Sequence, residues 1–239
     1  MRRLIAALFI LLVPAVAHAQ RQSTLCTAAI RRAEATHPTP PGLLLTIGKV
    51  ESGRHTEDGG FEPWPWSLNA DGQGYTFRTE EDAVTFARAA LARGTQTLDV
   101  GCMQVDLLYH PTAFRSLEEA FDPVLNADYA ARFLIALHDG PARGNWYVAI
   151  GLYHSRAPDL AAYYRMAVAA VGAGLPMPGL GPRAGPRFAP VRLALAGGGA
   201  VRLDLHRQPA RIRRTLSPCQ IGRMLGPYLR SRPAGCGGP

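Results

Sequence analysis

The chain has 239 residues, of which 47% are hydrophobic, and this is enough to form a globular core of ordinary size. Its formal net charge is +8, and it contains four cysteines and seven histidines. Because the sequence has no Cys-x-x-Cys pair and no His-Glu-x-x-His pattern, it predicts no metal site and implies no cofactor.

Residues 1–19 have the pattern of a cleavable signal peptide. Arg2 and Arg3 give a charged start, "LIAALFILLV" is too short to span a bilayer, and Ala17-x-Ala19 is a small-residue cleavage site. An uncleaved anchor is the alternative. No later run approaches the roughly 20 apolar residues that a membrane helix needs. We therefore expect an exported protein, in which four cysteines form two disulfides, although the sequence alone allows three pairings.

Charge is distributed unevenly along the chain. Residues 172–239 hold eleven arginines and one aspartate, a net charge of +10, whereas residues 20–171 hold 13 basic and 17 acidic residues, a net charge of −4. A basic tail either contacts an anionic partner or is simply solvated. Lipid headgroups, wall polymers and an acidic protein are candidate partners. We expect no nucleic-acid partner, because few aromatics lie among these arginines.

Residues 20–171 are predicted to form one domain. Ser23 or Thr24 can cap a first helix that ends at Thr36, and a second helix follows two prolines and ends at Gly53. The segment "WPWSLNADGQGYTF" indicates a β-hairpin, because an Asp71-Gly72 turn separates its aromatic residues.

The second half of this domain is mostly helical in pattern. Thr79 caps a helix that ends at Gly94, and "TQTLDVGCMQV" is extended until it turns at Gly101. Three more helices begin at Asp122, Asn145 and Pro158, the last running to about residue 171. The predicted fold class is therefore α+β, mostly α-helical, with a small β-hairpin insertion.

The remaining chain is predicted to lie outside this domain. Residues 172–190 contain five glycines and five prolines, which is typical of a linker. Residues 191–239 form a basic C-terminal extension, in which "VRLALAGGGAVRLDLH" indicates a hairpin around three glycines. Cys219 and Cys236 flank its last amphipathic stretch.

Glu51 is the first candidate catalytic residue. In a helix over "PPGLLLTIGKVESGR" it lies on the same side as Leu44 and Ile47, where a core helix would stay apolar. The structural alternative is a glutamate at a helix end whose carboxylate reaches water. A carboxyl held against apolar side chains has its charged form disfavoured, which is what a general acid needs at neutral pH.

Three further segments are consistent with a sugar-binding cleft. In "GCMQV" (101–105), Met103 can pack on a sugar ring and Gln104 can hydrogen-bond an N-acetyl or hydroxyl group. "PWPW" (63–66) places two tryptophans, including Trp66, on a loop where an aromatic face can support a sugar. "AIGLYHS" (149–155) places a Tyr-His pair near a helix end.

Taken together, "ESGR", "GCMQV" and "YHS" resemble the lytic transglycosylase (SLT) domain over roughly residues 26–165. The resemblance implies a lysozyme-like fold that cuts peptidoglycan glycan strands. It implies that Glu51 is the catalytic acid/base and that Ser52 supports it. It also implies that Met103 and Gln104 line the cleft after the turn glycine, Gly101.

The same resemblance implies that the hydroxyl of Tyr153 approaches the catalytic carboxylate. Two positions depart from the family pattern, because His154 and Asp106 stand where the family usually has asparagine. These departures affect the details of sugar binding and the pH optimum more than the reaction itself.

The expected activity is non-hydrolytic cleavage of the β-1,4 bond between N-acetylmuramic acid and N-acetylglucosamine in the periplasm, with a 1,6-anhydro product. One carboxylate suffices for this reaction. A muramidase of the same fold would need a second, for which Asp99, Asp106 and Glu57 are candidates. A non-catalytic wall-binding scaffold is the other alternative. Partners suggested by the resemblance are peptidoglycan strands and an envelope-spanning secretion, pilus or flagellar assembly.

The positions of the cysteines suggest a pairing. A bridge from Cys26, in the first helix, to Cys102, in the cleft turn, would close a loop of about 75 residues and contribute about 4 kcal/mol in the chain-entropy treatment. Cys219 would then pair with Cys236.

Overall fold

The computed structural model describes residues 13–175, 192–194, 200–202, 217–228 and 236. The chain divides into two units, Met1–Met177 with Leu216–Pro239 and Pro178–Thr215. Helices and small antiparallel sheets make up the described part, which confirms the predicted mixed, mostly helical class. Residues 1–12 of the predicted signal peptide and residues 176–190 of the predicted linker lie outside the described part. None of the described helices combines the length and apolar character needed to cross a bilayer.

The described helices include all those predicted in residues 20–171, with an earlier start for the first helix and an additional short helix, α4. They are α1 Val13–Thr36, α2 Leu43–Ser52, α3 Glu80–Ala92, α4 Leu117–Phe121, α5 Pro123–Asp139, α6 Trp146–His154, α7 Pro158–Gly172 and α8 Pro218–Met224. The predicted cap at Ser23 or Thr24 is wrong, because α1 begins about three turns earlier. The preceding segment is rich in alanine, and its proline is only the second residue of the helix, where proline is tolerated.

Side-chain caps start three of the described helices that the sequence predicted. Thr79 accepts a hydrogen bond from the Asp82 amide at the start of α3, and Asn145 accepts one from the Val148 amide at the start of α6. Asp122 accepts bonds from two amides of the first turn of α5. These boundaries are confirmed because each depends on residues within one helical turn.

The described strands form three small antiparallel sheets. In chain order they are β1 Gly53–His55, β2 Phe61–Pro63, β3 Ser67–Ala70, β4 Gln73–Thr76, β5 Leu98–Val100, β6 Val105–Asp106, β7 Arg192–Ala194 and β8 Ala200–Arg202. β1 pairs with β2, and the four-stranded sheet has the order β4-β3-β5-β6. The predicted Asp71-Gly72 hairpin is confirmed: both residues have positive φ, 51° and 85°, in the turn between β3 and β4.

The unit Pro178–Thr215 contains the third sheet. β7 and β8 pair antiparallel with Leu193 opposite Val201, which confirms the hairpin predicted there. The glycines between these strands lie outside the described residues.

The described residues of the helical unit form two apolar cores. The larger is formed by α1, α2, α5, α6 and α7, with residues from α8. The smaller joins β3 and β5 to α3 and α4 and is centred on Leu68 and Phe121. The end of α2 and the β5–β6 turn meet next to the larger core, and this is where the candidate catalytic residues lie.

The last described segment belongs to the larger core. Ile221 and Leu225 are buried there, and Cys219 is bonded to Cys236. The 3-10 turn Gly226–Tyr228 follows α8, and the Tyr228 hydroxyl lies 3.0 Å from Thr46 Oγ1 on α2. Residues Leu216–Pro239, which the sequence analysis assigned to a separate extension from 191 to 239, therefore group with the helical unit.

Substitution of Leu225 tests whether this C-terminal segment is part of the folded core. Leu225 is fully buried, so Leu225→Ala should lower the free energy of unfolding by about 2–5 kcal/mol, measured by urea denaturation. Arg223→Ala is the matched control, because Arg223 is exposed on α8, the helix that Leu225 caps, and its change should stay within about 0.5 kcal/mol. Equal, small effects of both variants would contradict the core assignment.

Candidate active site

Glu51 ends the buried face of α2. Leu44 and Ile47 on that face are fully buried, and Glu51, one residue before the end of the helix, is half-buried. Its Oε1 accepts a 2.6 Å hydrogen bond from the hydroxyl of Tyr164 on α7. The predicted stripe of two apolar residues and one carboxylate therefore exists, and the carboxylate at its end is held by a hydrogen bond to a buried phenol.

Tyr164 and Tyr153 are two neutral phenols beside this carboxylate. Burial, reinforced by the negative charge of Glu51, raises the pKa of Tyr164 well above its usual range. Burial followed by the charges of Glu51 and Asp99 does the same to the pKa of Tyr153. Both hydroxyls therefore keep their protons at neutral pH and act as hydrogen-bond donors.

The two phenols have different acceptors. The Tyr153 hydroxyl, which the resemblance placed near the catalytic carboxylate, donates to the Met103 carbonyl at 3.0 Å. The donor to Glu51 Oε1 is Tyr164, which the sequence reasoning missed. The only signal for it was a tyrosine at an apolar position of a helix, where a buried hydroxyl needs a partner.

Ser52 joins the end of α2 to two neighbouring segments. Its buried Oγ donates to the Cys102 carbonyl at 2.7 Å and accepts from the Trp64 amide at 3.1 Å. The helix that carries Glu51 is thus tied to the 101–104 turn and to the chain after β2. This arrangement is compatible with the supporting role that the resemblance assigned to Ser52.

The 101–104 turn is built around the buried side chain of Asn126. The Asn126 Oδ1 accepts from the Met103 amide at 2.8 Å, and its Nδ2 donates to the carbonyls of Val100 at 3.0 Å and Ala120 at 2.9 Å. Gly101 has a φ of 81°, and a Cβ there would lie 2.5 Å from Asn126 Nδ2. The turn therefore requires glycine for both its conformation and its space. The sequence analysis did not identify Asn126.

Met103 and Gln104 differ in what they offer a ligand. Met103 is fully buried in the larger core, so the prediction that its side chain packs on a sugar ring is corrected. Gln104 has a φ of 47°, and its Nε2 donates to the carbonyls of Ser67 and Gly101, both at 3.1 Å. With both amide hydrogens engaged in the turn, Oε1 is the side-chain atom through which Gln104 could accept a hydrogen bond from a ligand.

His154 and Trp66, two further predicted site residues, contact different parts of the structure. The His154 ring stacks on Tyr164 with centroids 4.8 Å apart and planes 3° from parallel. Trp66 is half-buried, packs against the smaller core, and contacts Trp64 edge to face at 5.8 Å. His154 therefore packs on Tyr164, the donor to Glu51, and Trp66 packs against the core beneath the four-stranded sheet.

Of the three candidate second carboxylates, Asp99 is the one coupled to the site. Asp106 Oδ1 accepts from the backbone amides of Leu108 at 2.9 Å and Tyr109 at 3.3 Å, so it stabilises a turn. Glu57 is exposed between β1 and β2. Asp99 lies on β5 between two buried residues, and its charge contributes to the raised pKa of Tyr153.

The Cys26–Cys102 disulfide attaches the turn to α1. Its Cα atoms are 5.6 Å apart, and the second bridge joins Cys219 to Cys236. Both predicted pairings are confirmed. Because Cys102 is also the residue whose carbonyl accepts from Ser52, α1 and α2 are fixed to the same position of the turn.

Comparisons with known proteins identify no relative. No family model matches the sequence. No curated protein matches it. No solved structure matches it. Within the described residues, no three or more His, Cys, Asp or Glu side chains are grouped as ligands for a metal ion.

Replacement of Gly101 tests whether Asn126 constrains the turn. Gly72→Ala is the control, because Gly72 has a φ of 85° with open space around it. That variant should lose about 1–2 kcal/mol of unfolding free energy from backbone conformation alone. Gly101→Ala should lose about 1–3 kcal/mol more in urea denaturation, because the new Cβ displaces the Asn126 amide from its buried partners. Equal losses would argue against this role of Asn126.

Proposed function

We propose that this protein is a peptidoglycan lytic transglycosylase with a lysozyme-like fold, in which Glu51 is the general acid and base. The observation that carries the proposal is the half-buried Glu51 carboxyl at the end of α2, hydrogen-bonded by Tyr164 and fixed through Ser52 to the "GCMQ" turn. The likeness of "ESGR", "GCMQV" and "YHS" to the SLT domain supports the assignment.

The reaction needs one group that first gives and then takes a proton. Glu51 protonates the bridging oxygen as the bond from the muramic acid C1 breaks. The resulting carboxylate accepts the proton of the C6 hydroxyl of the same sugar, whose oxygen attacks C1. The C1–O6 bond closes a 1,6-anhydro ring, Glu51 recovers its proton, and no water is consumed.

Tyr164 is a positioning residue in this proposal. Its neutral hydroxyl donates to Oε1, which orients the carboxyl and stabilises the carboxylate left after the first proton transfer. Tyr153 is a second positioning residue, because its hydroxyl donates a hydrogen bond to the carbonyl of the turn residue Met103.

Hydrolysis by a muramidase of the same fold is the second candidate. The observation that favours it is the placement of Asp99, whose negative charge reaches Tyr153 beside Glu51. A carboxylate there could activate water or stabilise positive charge at C1, as a second carboxylate does in glycoside hydrolysis.

The proposed location is the periplasm. Two disulfides fit an oxidising compartment outside the cytoplasm. The proposed macromolecular partner is the peptidoglycan strand, and attachment to a secretion, pilus or flagellar assembly is proposed from the resemblance alone.

Mass spectrometry of fragments released from purified sacculi tests the activity. The protein with residues 1–19 removed should release fragments ending in 1,6-anhydro-muramic acid, and Glu51→Gln should slow release by about 10²- to 10⁴-fold. Glu57→Gln, at an exposed carboxyl, should match the unsubstituted protein. Fragments with free reducing ends, heavier by one water than the anhydro fragments, would instead identify a hydrolase. Asp99→Asn would then be the next variant to test. No release from any form would contradict both activities.

Tyr164→Phe tests the positioning role. Losing a hydrogen bond to a charged group should lower kcat by about ten- to a hundredfold and leave KM nearly unchanged. Without the donated hydrogen bond the carboxylate is less favoured, so the limb of the pH–rate profile that reports ionisation of Glu51 should move to higher pH. Tyr75→Phe, at an exposed tyrosine, should change neither. A lower kcat with an unmoved pH limb would argue against the contact with Glu51.

A further inference from the structure

A row of aromatic side chains extends from the candidate active site to the surface. We define it as Tyr153, Phe133, His110 and Tyr109. The centroids of Tyr153 and Phe133 are 5.6 Å apart, those of Phe133 and His110 are 4.6 Å apart, and those of His110 and Tyr109 are 4.9 Å apart. Burial, followed by the charge of Glu51, raises the pKa of the first member, Tyr153, and the last member, Tyr109, is 63% exposed.

The exposed end of the aromatic row is held on an ordered turn. Asp106 Oδ1 accepts from the amides of Leu108 and Tyr109, and the Asp106 carbonyl accepts from the His110 amide at 2.9 Å. Leu108, next to Tyr109, is 42% exposed. A large aromatic ring and a leucine, both exposed on a backbone that these hydrogen bonds fix, form an apolar patch at the surface.

The interior of the row is fixed by a second set of contacts. His110 Nδ1 lies 2.9 Å from the Tyr129 hydroxyl, and the Tyr129 ring contacts Phe114 at 5.4 Å. Burial, opposed by the charge of Asp106, lowers the pKa of His110, so its ring is neutral at neutral pH. The exposed ring face of Tyr109 is thus next to the neutral polar groups of His110 and Tyr129, and no member of the aromatic row carries a formal charge.

We propose that Tyr109, with Leu108 and His110, forms a subsite that binds a pyranose ring of the glycan strand at a distance from the bond cut at Glu51. This inference rests on the proposed function. A pyranose has an apolar C–H face, which suits an aromatic ring, and a hydroxyl edge, which suits nearby polar groups. The aromatic row joins the patch to Tyr153, next to the candidate active site. This connection is the reason to assign the patch to the same glycan strand that Glu51 acts on.

A subsite of this kind acts only on strands long enough to reach it. Tyr109 should therefore contribute to the gain in affinity between short and long oligosaccharides. Its contribution should require an aromatic ring and should not require the tyrosine hydroxyl.

The experiment measures binding without turnover. Glu51→Gln protein is titrated calorimetrically with β-1,4-linked N-acetylglucosamine oligomers of three and six units, alone and combined with Tyr109→Ala, Tyr109→Phe or Leu160→Ala. Leu160 is the control, because it is 42% exposed on α7. Tyr109→Ala should raise the Kd of the hexamer about three- to tenfold and reduce the gain from trimer to hexamer, whereas the other two variants should match the parent. In the parent, nuclear Overhauser contacts should join the Tyr109 ring to sugar protons.

The outcomes separate this inference from the proposed function. An equal Kd of the hexamer for the parent and for the Tyr109→Ala variant, with no Overhauser contact to Tyr109 in the parent, would overturn the subsite alone. A protein or lipid would then be the remaining partner for the patch. Failure of the parent to bind either oligomer would overturn the proposed function, and the subsite with it.

Discussion

One buried amide holds together the part of the molecule on which the candidate site depends. Asn126, fully buried on α5, forms three hydrogen bonds, to the Met103 amide and to the carbonyls of Val100 and Ala120. A buried amide is costly unless its polar atoms are paired, and here the partners come from three different segments. The positions of the turn, the sheet and α5 are therefore coupled through a single side chain.

Glu51 depends on that turn through its neighbour in the helix, Ser52. Ser52 binds the Cys102 carbonyl, and the Cys26–Cys102 bridge fixes the same residue to α1. On its other side Glu51 is held by Tyr164 from α7. The carboxyl is thus positioned by contacts from elements that are far apart in sequence, and this kind of preorganisation is what a proton-transferring group requires.

The features predicted correctly from the sequence are those with local causes. The caps at Thr79, Asp122 and Asn145 and the Asp71-Gly72 hairpin each depend on residues within a few positions. The Tyr164 contact could not be predicted in this way, because it joins residues 113 positions apart. The return of α8 to the core is equally non-local. Met103 was misassigned because the motif gives its neighbours in sequence but not the core that surrounds it.

The contact between Tyr228 and Thr46 has a consequence for the order in which the chain can fold. The two residues are 182 positions apart, and Thr46 lies on the helix that carries Glu51. Synthesis proceeds from the N-terminus to the C-terminus, so α2 has been synthesised long before Tyr228, its partner, is added to the chain. The core around α2 therefore reaches its final composition only after residue 228 has been synthesised, and chains that stop earlier lack Ile221, Leu225 and Tyr228 on that side.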